Sequence, residues 1–137
     1  MKIDTTDIYI DAKHLHVLLY RAQFTMRKAD RIVMGNRLLD LSQNMVAVLS
    51  RAIMAEDEER LKRIDELRGE FDALRLNLQA AENLSMFKES RSTVDRNSGE
   101  LTNIGPLVLG MFERVDKIDK GISRWRSAVR SRITVRR

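Results

Sequence analysis

Cysteine is absent from this chain of 137 residues. Its absence excludes disulfide bonds, thiolate metal sites, cysteine-ligated iron–sulfur clusters and catalysis by a cysteine nucleophile. The fold must therefore be stabilised by apolar packing and hydrogen bonds. A chain of this length is long enough for one hydrophobic core that buries roughly two thirds of the unfolded surface. We expect residues 1–137 to form a single domain that needs no disulfide and no metal to fold.

Proline, glycine and aromatic residues are also scarce. The chain contains one Pro, six Gly, four Phe, two Tyr and one Trp, while 33% of its residues are charged. This composition is typical of proteins built from long helices. The shortage of aromatic rings argues against the single-strand nucleic-acid readers that stack bases on aromatic platforms.

Long apolar runs are missing as well. No segment approaches the roughly 20 consecutive apolar residues that a membrane-spanning helix requires. The first residues, from Met1 to Asp11, are polar and charged and do not resemble the apolar part of a secretory signal. We therefore expect a soluble protein of the cytoplasm.

Apolar side chains spaced by three and four residues predict the first two helices. The first helix is expected from Thr6 or Asp7 to Lys28, after a flexible N-terminus over about 1–6. The second is expected over about 31–54, with Asp30 as a plausible cap. Its apolar stripe is wide enough to contact more than one neighbour. The predicted inner face of the first helix contains Ile10, Leu15, Leu18, Leu19, Ala22 and Met26.

The boundary between the second and third helices contains neither Gly nor Pro. We expect a break at the acidic residues 55–59, because a turn there lets the apolar faces pack against each other. One unbroken helix over 36–88 is the alternative. A Ser-, Thr- and Asn-rich loop is predicted over about 88–105, and Pro106 then falls in the first turn of the last helix. The third helix has an apolar stripe of its own, made by Leu61, Ile64, Leu67, Phe71, Leu74, Leu78 and Ala81.

The last helix has the longest apolar stripe of the chain. Four such helices joined by short links predict an all-α fold, an antiparallel up-down four-helix bundle. An extended coiled coil is an alternative for the third and fourth helices. The stripe of the last helix comprises Leu101, Ile104, Val108, Met111, Val115, Ile118, Ile122, Trp125 and Val129.

Positive charge is concentrated at the end of the same helix. The segment from Arg114 to Arg137 contains nine Lys or Arg and two Asp, a balance of +7, whereas the whole chain carries +5. The guanidinium of arginine binds phosphate bidentately, so we predict nucleic-acid binding through phosphates, with little base specificity. The alternative is a solvated basic tail, about 130–137, that complements the helix dipole. The candidate residues are Lys117, Lys120, Arg124, Arg126, Arg130, Arg132, Arg136 and Arg137.

Catalytic and metal-binding motifs are absent from the sequence. His14 and His16 are two residues apart, so on a helix they point about 200° apart and cannot bind one metal ion together. The chain has no Glu-x-x-His pair, no P-loop, no Gly-rich dinucleotide turn and no nucleophile elbow. We therefore expect a protein that is not an enzyme and that uses no cofactor and no metal.

Three stretches together resemble the accessory variability determinant family of diversity-generating retroelements. Residues 31–39, RIVMGNRLL, form a basic lead-in to the second helix, with Met34 where the family usually has Leu. Residues 74–81, LRLNLQAA, are similar to a Leu- and Arg-rich pattern of the third helix. Residues 115–125, VDKIDKGISRW, resemble the last helix of the family with its near-terminal Trp. The resemblance covers about 15–130.

The resemblance implies a fold, an assembly and partners. The family belongs to a wider group of small four-helix-bundle proteins, some encoded by intervening sequences in bacterial ribosomal RNA genes. Its members resemble homopentameric barrels that associate with the retroelement's reverse transcriptase and template RNA. They support a mutagenic cDNA synthesis that diversifies a target gene. Carried over by position, Arg75 is a candidate nucleic-acid contact and Trp125 a core or subunit-packing residue, whereas Gln79 replaces a second Arg that the family tends to carry.

The sequence leaves other functions open. A protein–protein adaptor would use the wide apolar stripes to bind helices of a partner, and its basic tail would only increase solubility. A ribosome-associated helical bundle would bind RNA without a reverse transcriptase. The leading hypothesis is a non-enzymatic accessory protein that binds RNA, and possibly DNA, together with a reverse transcriptase.

Overall fold

Four amphipathic helices form the protein, which we analysed as a computed structural model describing residues 5–87 and 106–136. Helix α1 covers Thr6–Gln23, α2 Asn36–Met54, α3 Asp57–Asn83 and α4 Pro106–Arg136. A helical lead-in precedes α2 and consists of Lys28–Asp30 and a π-helical turn, Arg31–Gly35. The described part of the chain contains no β-strand.

The helices pack in a ring, in which each contacts the next along the chain and α1 contacts α4. Neighbours run antiparallel. Between α3 and α4, for example, Arg68 is hydrogen-bonded to Asp119 and Arg126 to Asp65. The residue numbers of the contacting pairs therefore rise along one helix as they fall along the other. The other three pairs of neighbouring helices show the same reversal. The contacts are His16–Ser42 and Gln23–Gly35 between α1 and α2 with its lead-in, and Arg51–Glu66 and Arg37–Asn77 between α2 and α3. Between α1 and α4 they are Ile8–Gly121 and Leu18–Gly110. The predicted antiparallel up-down four-helix bundle is therefore confirmed.

The core lies between the apolar stripes of all four helices. The stripe predicted for α3 is buried except for Leu61, which is half-buried. In α1 the stripe differs from the prediction: Ile8 and Ala12 are buried, whereas Ile10 is 53% exposed. Ile10 lies two residues from each of them and therefore points to the opposite side of the helix. Seven of the nine residues predicted for the last helix are described and buried, and the other two, Leu101 and Ile104, lie outside the described residues.

The helix boundaries confirm some predictions and correct others. The break after α2 is present, because Ala55 and Glu56 separate it from α3. Helix α1 ends at Gln23, five residues before the predicted end. Asp30 does not cap α2, since it lies inside the helical lead-in. The predicted loop over about 88–105 lies outside the described residues.

Gly35 marks the point where the lead-in passes into α2. Its neighbour Asn36 donates its backbone N–H to the carbonyl of Arg31, five residues earlier, which makes this turn a π-helix. A methyl group at Gly35 would lie 3.4 Å from Cβ of Gln23 and 3.6 Å from Sδ of Met26. These are ordinary van der Waals distances, so the lead-in packs against the end of α1 without requiring a glycine at this position.

The side chain of Arg60 holds the end of α2 from the first turns of α3. Its Nε donates to the carbonyl of Ala52 at 3.2 Å, and an η nitrogen donates to that of Ile53 at 2.9 Å. The last carbonyls of a helix have no partner within the helix, so these bonds serve as a C-terminal cap.

We expect Arg60→Ala to lower the free energy of unfolding by about 1–2 kcal/mol, because two charge-assisted hydrogen bonds are lost. Urea denaturation monitored by circular dichroism measures the change. Arg60→Lys keeps the charge but not the planar fork, and should recover less than half of the loss. Equal stability of Arg60→Ala and the parent would show that water replaces the cap without cost.

Candidate nucleic-acid interface

The outer side of α4 carries a regular stripe of exposed hydrogen-bond donors. The stripe, called here the α4 donor stripe, runs opposite the buried face of the helix, with spacings of three, four, three and four residues. At 1.5 Å per residue it extends over roughly 21 Å. It comprises Lys117, Lys120, Arg124, Ser127 and Ser131, all of them exposed.

The net positive charge of α4 increases toward the C-terminal end of the helix. Glu113 and Asp116 are exposed near the beginning of the donor stripe, four residues before Lys117 and Lys120 respectively, but form no ion pair with them. From Lys120 onward the sequence has seven Lys or Arg and no acid. None of the three cations of the stripe forms an ion pair with a described residue. They are therefore available to an external anion.

Arg130 and Arg132 lie beside the donor stripe and not on it. Both are exposed, but they lie on different sides of the last turns of α4. Arg132 lines an open pocket of about 280 Å³ together with Glu56, Asp57, Arg60 and Val129. Acidic residues at the start of α3 therefore offset part of the charge at this end. Arg136 closes the helix, and Arg137 lies outside the described residues.

Arg126 forms an ion pair in the contact between α4 and α3. Its Nε donates to the Asp65 carboxylate at 2.6 Å. This hydrogen bond, together with the attraction between the two charges, raises the pKa of the Arg126 guanidinium above its ordinary value. Arg114 likewise lies 3.7 Å from Asp11 of α1. These two arginines belong to the basic segment by sequence, but their charges are paired.

Arg75 is also paired, in a cluster between α3 and α4. It donates to the Asp72 carboxylate at 3.0 Å and lies 3.7 Å from that of Asp119. Arg68 bonds the same Asp119 and the hydroxyl of Ser123. Both guanidinium groups stack on the ring of Phe71, at 5.4 and 5.6 Å from its centroid. Arg75 is about one third exposed, so a nucleic acid would have to compete with two carboxylates for it.

The structure therefore separates the predicted residues into groups. Three cations, Lys117, Lys120 and Arg124, share one exposed stripe, while Arg75 and Arg126 pair with acids across the α3–α4 contact. Two exposed hydroxyls, Ser127 and Ser131, join the stripe and were missed by the sequence prediction. The sequence does indicate these two serines, because they continue the three-and-four spacing of Lys117, Lys120 and Arg124. Trp125 is buried in the core, at 2% exposure.

Two further observations concern the described residues as a whole. They include no group of three or more His, Cys, Asp or Glu side chains placed to hold a metal ion. None of the described helices combines the length and the apolarity needed to cross a bilayer. Comparison with known proteins found no matching family model, no matching curated protein and no matching solved structure.

Proposed function

We propose that this protein is a non-enzymatic scaffold that binds RNA phosphates through the α4 donor stripe. The observation that carries the proposal is the row of exposed donors and unpaired cations on a rigid helix. Phosphate groups accept hydrogen bonds from Lys, Arg and Ser alike, and such contacts fix position without reading sequence. The sequence has no acidic residue from Lys120 onward, so a phosphate backbone along this part of the stripe would meet only donors.

The proposal extends to an accessory role beside a reverse transcriptase, with its template RNA as the bound nucleic acid. The resemblance of residues 31–39, 74–81 and 115–125 to the accessory variability determinant family supports this extension. The same resemblance supports a homopentameric assembly. Five copies would carry a net charge of +25, from +5 per chain, and the resulting field would attract RNA from a distance.

The RNA-binding proposal is tested with Lys117→Gln/Lys120→Gln/Arg124→Gln. We expect its affinity for a structured RNA to fall about tenfold at physiological salt, because three phosphate contacts are lost. The slope of log K against log salt should become shallower by about two to three units. Fluorescence anisotropy with a labelled RNA hairpin, measured at several salt concentrations, gives both quantities.

The matched control is Arg21→Gln/Lys28→Gln/Lys62→Gln. It removes the same charge from three exposed cations of α1, the lead-in and α3, away from the donor stripe. We expect it to keep most of the affinity. Equal losses in both triple variants would show that net charge alone attracts RNA, and no loss in the first would exclude the stripe as the site.

The other functions predict different results. A protein–protein adaptor would show no nucleic-acid affinity tighter than about 100 µM at physiological salt. A ribosome-associated bundle would bind RNA without retaining a reverse transcriptase. Light scattering at high salt addresses the assembly: a mass near 80 kDa, five times 15.9 kDa, supports the pentamer, and a monomer or dimer contradicts it.

A further inference from the structure

A second surface, formed by α1 and α2, differs from the donor stripe in its chemistry. The two helices meet at a hydrogen bond of 3.1 Å between Nδ1 of His16 and the hydroxyl of the fully buried Ser42. Residues three, four, seven, eight or eleven positions from these two lie near the same side of each helix. This surface, called here the α1–α2 face, comprises Tyr9, Lys13 and Tyr20 of α1, Phe24 directly after α1, and Leu39, Val46 and Ile53 of α2.

The α1–α2 face is apolar although it is open to solvent. Tyr20 is 53% exposed and Phe24 is 58% exposed, and their rings form an edge-to-face pair with centroids 5.3 Å apart. The other members, apart from Lys13, are half-buried. Three of the seven aromatic residues of the chain lie on this face. Exposed apolar side chains that form one contiguous patch mark interaction sites more often than isolated ones do.

The charged groups that contact this face are cations. The ammonium of Lys13 lies 5.3 Å from the centroid of the Tyr9 ring, and the guanidinium of Arg31 lies 5.9 Å from that of Phe24. Nearby acids point elsewhere: Asp11 pairs with Arg114 on the α4 side of α1. Asp40 is two residues from Ser42 and so lies on the opposite side of α2. The face is therefore an apolar strip edged by positive charge.

We propose that the α1–α2 face binds an amphipathic helix of another protein, with an apolar stripe flanked by Glu or Asp. The row from Tyr9 to Phe24 is about 22 Å long at 1.5 Å per residue, which matches a partner helix of roughly four turns. Helices dock in such grooves through apolar anchors spaced by three, four and seven residues. Acidic side chains beside those anchors complement Lys13 and Arg31.

The same charges disfavour other occupants. A two-fold contact with a second copy would bring the face against itself, and the face has no acidic side chain to pair with Lys13 and Arg31. The proposed pentamer would use a heterologous contact instead, and the test below distinguishes that case. RNA bases stack on the open faces of aromatic rings. Lys13 and Arg31 lie over Tyr9 and Phe24, so two of the three rings are already covered. This inference is independent of the donor stripe, and either can fail alone.

The test is a selection of peptides against the full chain. A displayed library of 18-residue helical peptides keeps Leu at anchor positions and varies the flanking positions among Glu, Lys and Gln. We expect Glu to be enriched at the flanks. Synthetic Glu-rich peptides should bind with a Kd in the micromolar range, and Tyr20→Ser/Phe24→Ser should weaken that binding about tenfold or more.

The control variant is Leu76→Ser/Leu84→Ser, which removes two exposed apolar side chains from other parts of the surface. It should bind the peptides like the parent. Enrichment of Lys or Gln, or equal binding to both double variants, would overturn the proposal. So would a fall in solution mass caused by Tyr20→Ser/Phe24→Ser, since the face would then hold a second copy. Loss of RNA affinity in that variant, with the donor stripe intact, would assign the face to nucleic acid instead.

Discussion

Replacing Phe71 by alanine is expected to lower the free energy of unfolding by about 3–5 kcal/mol. Phe71 is fully buried in α3 and faces the centre of the bundle. Its removal leaves a cavity between helices whose backbones are held in place by their other contacts. The loss should therefore approach the upper part of the range that large-to-small substitutions give in well-packed cores.

The ring of Phe71 has a second role that adds to this loss. Arg68 and Arg75 both stack on it, and they bring Asp72 and Asp119 together between α3 and α4. Without the ring the two guanidinium groups lose a platform worth roughly 0.5–1 kcal/mol each at partly exposed sites. Truncation at Phe71 thus weakens the α3–α4 contact beyond the loss of apolar burial.

Urea or thermal unfolding of Phe71→Ala measures the effect, with Leu76→Ala as the control. Leu76 lies on the same helix but is 63% exposed, so its truncation should change stability by about 0.5 kcal/mol or less. Similar losses for the two variants would contradict the burial of Phe71. A loss below about 2 kcal/mol at Phe71 would indicate that the bundle closes over the cavity.

Alanine at Gly121 and at Gly69 should change stability in opposite directions, with a difference of about 1–3 kcal/mol between them. A methyl group at Gly121 would lie 2.8 Å from Cγ1 of Ile8, where α1 and α4 approach closely. A methyl group at Gly69 would have no atom within 4 Å. Both glycines lie inside helices, where alanine alone gains up to about 1 kcal/mol.

Gly69→Ala should therefore raise the free energy of unfolding by up to about 1 kcal/mol. Gly121→Ala should lower it, because moving Ile8 costs about 1–3 kcal/mol and outweighs the gain in helix propensity. The denaturant midpoints of the two variants, compared with that of the parent, measure both changes in stability. If both substitutions stabilise the protein, the α1–α4 contact is looser than the close approach of Gly121 to Ile8 indicates.

The fold could be predicted from the sequence because each helix has one apolar stripe long enough to fix its inner face. Helix α4 is the clearest case, since all seven described residues of its predicted stripe are buried. The error at Ile10 has a simple origin. α1 has apolar residues on two faces, and periodicity alone does not distinguish the face toward the core from the face toward solvent.

The candidate site could be predicted only in part. The concentration of Lys and Arg at the end of α4 is visible in the sequence, but the partner of each cation depends on how the helices are aligned. Arg126 meets Asp65, and Arg75 meets Asp119, only because antiparallel packing brings residues so distant in sequence together. No local sequence pattern predicts how two helices are aligned. The spacing of residues along one helix does predict the donor stripe, because its members lie on one side of that helix.

The π-helical turn Arg31–Gly35 has a consequence for comparing this chain with others. A π-turn holds one residue more than the α-helical turn that it replaces, so the residues before it are rotated by roughly 100° relative to an unbroken α-helix. A related chain could lack one residue here and still pack its helices in the same way. If the two sequences were aligned without a gap, the residues on one side of Gly35 would be matched to the wrong neighbours, one position away from their structural counterparts. Such relatives are better sought by aligning the segments before and after this turn separately.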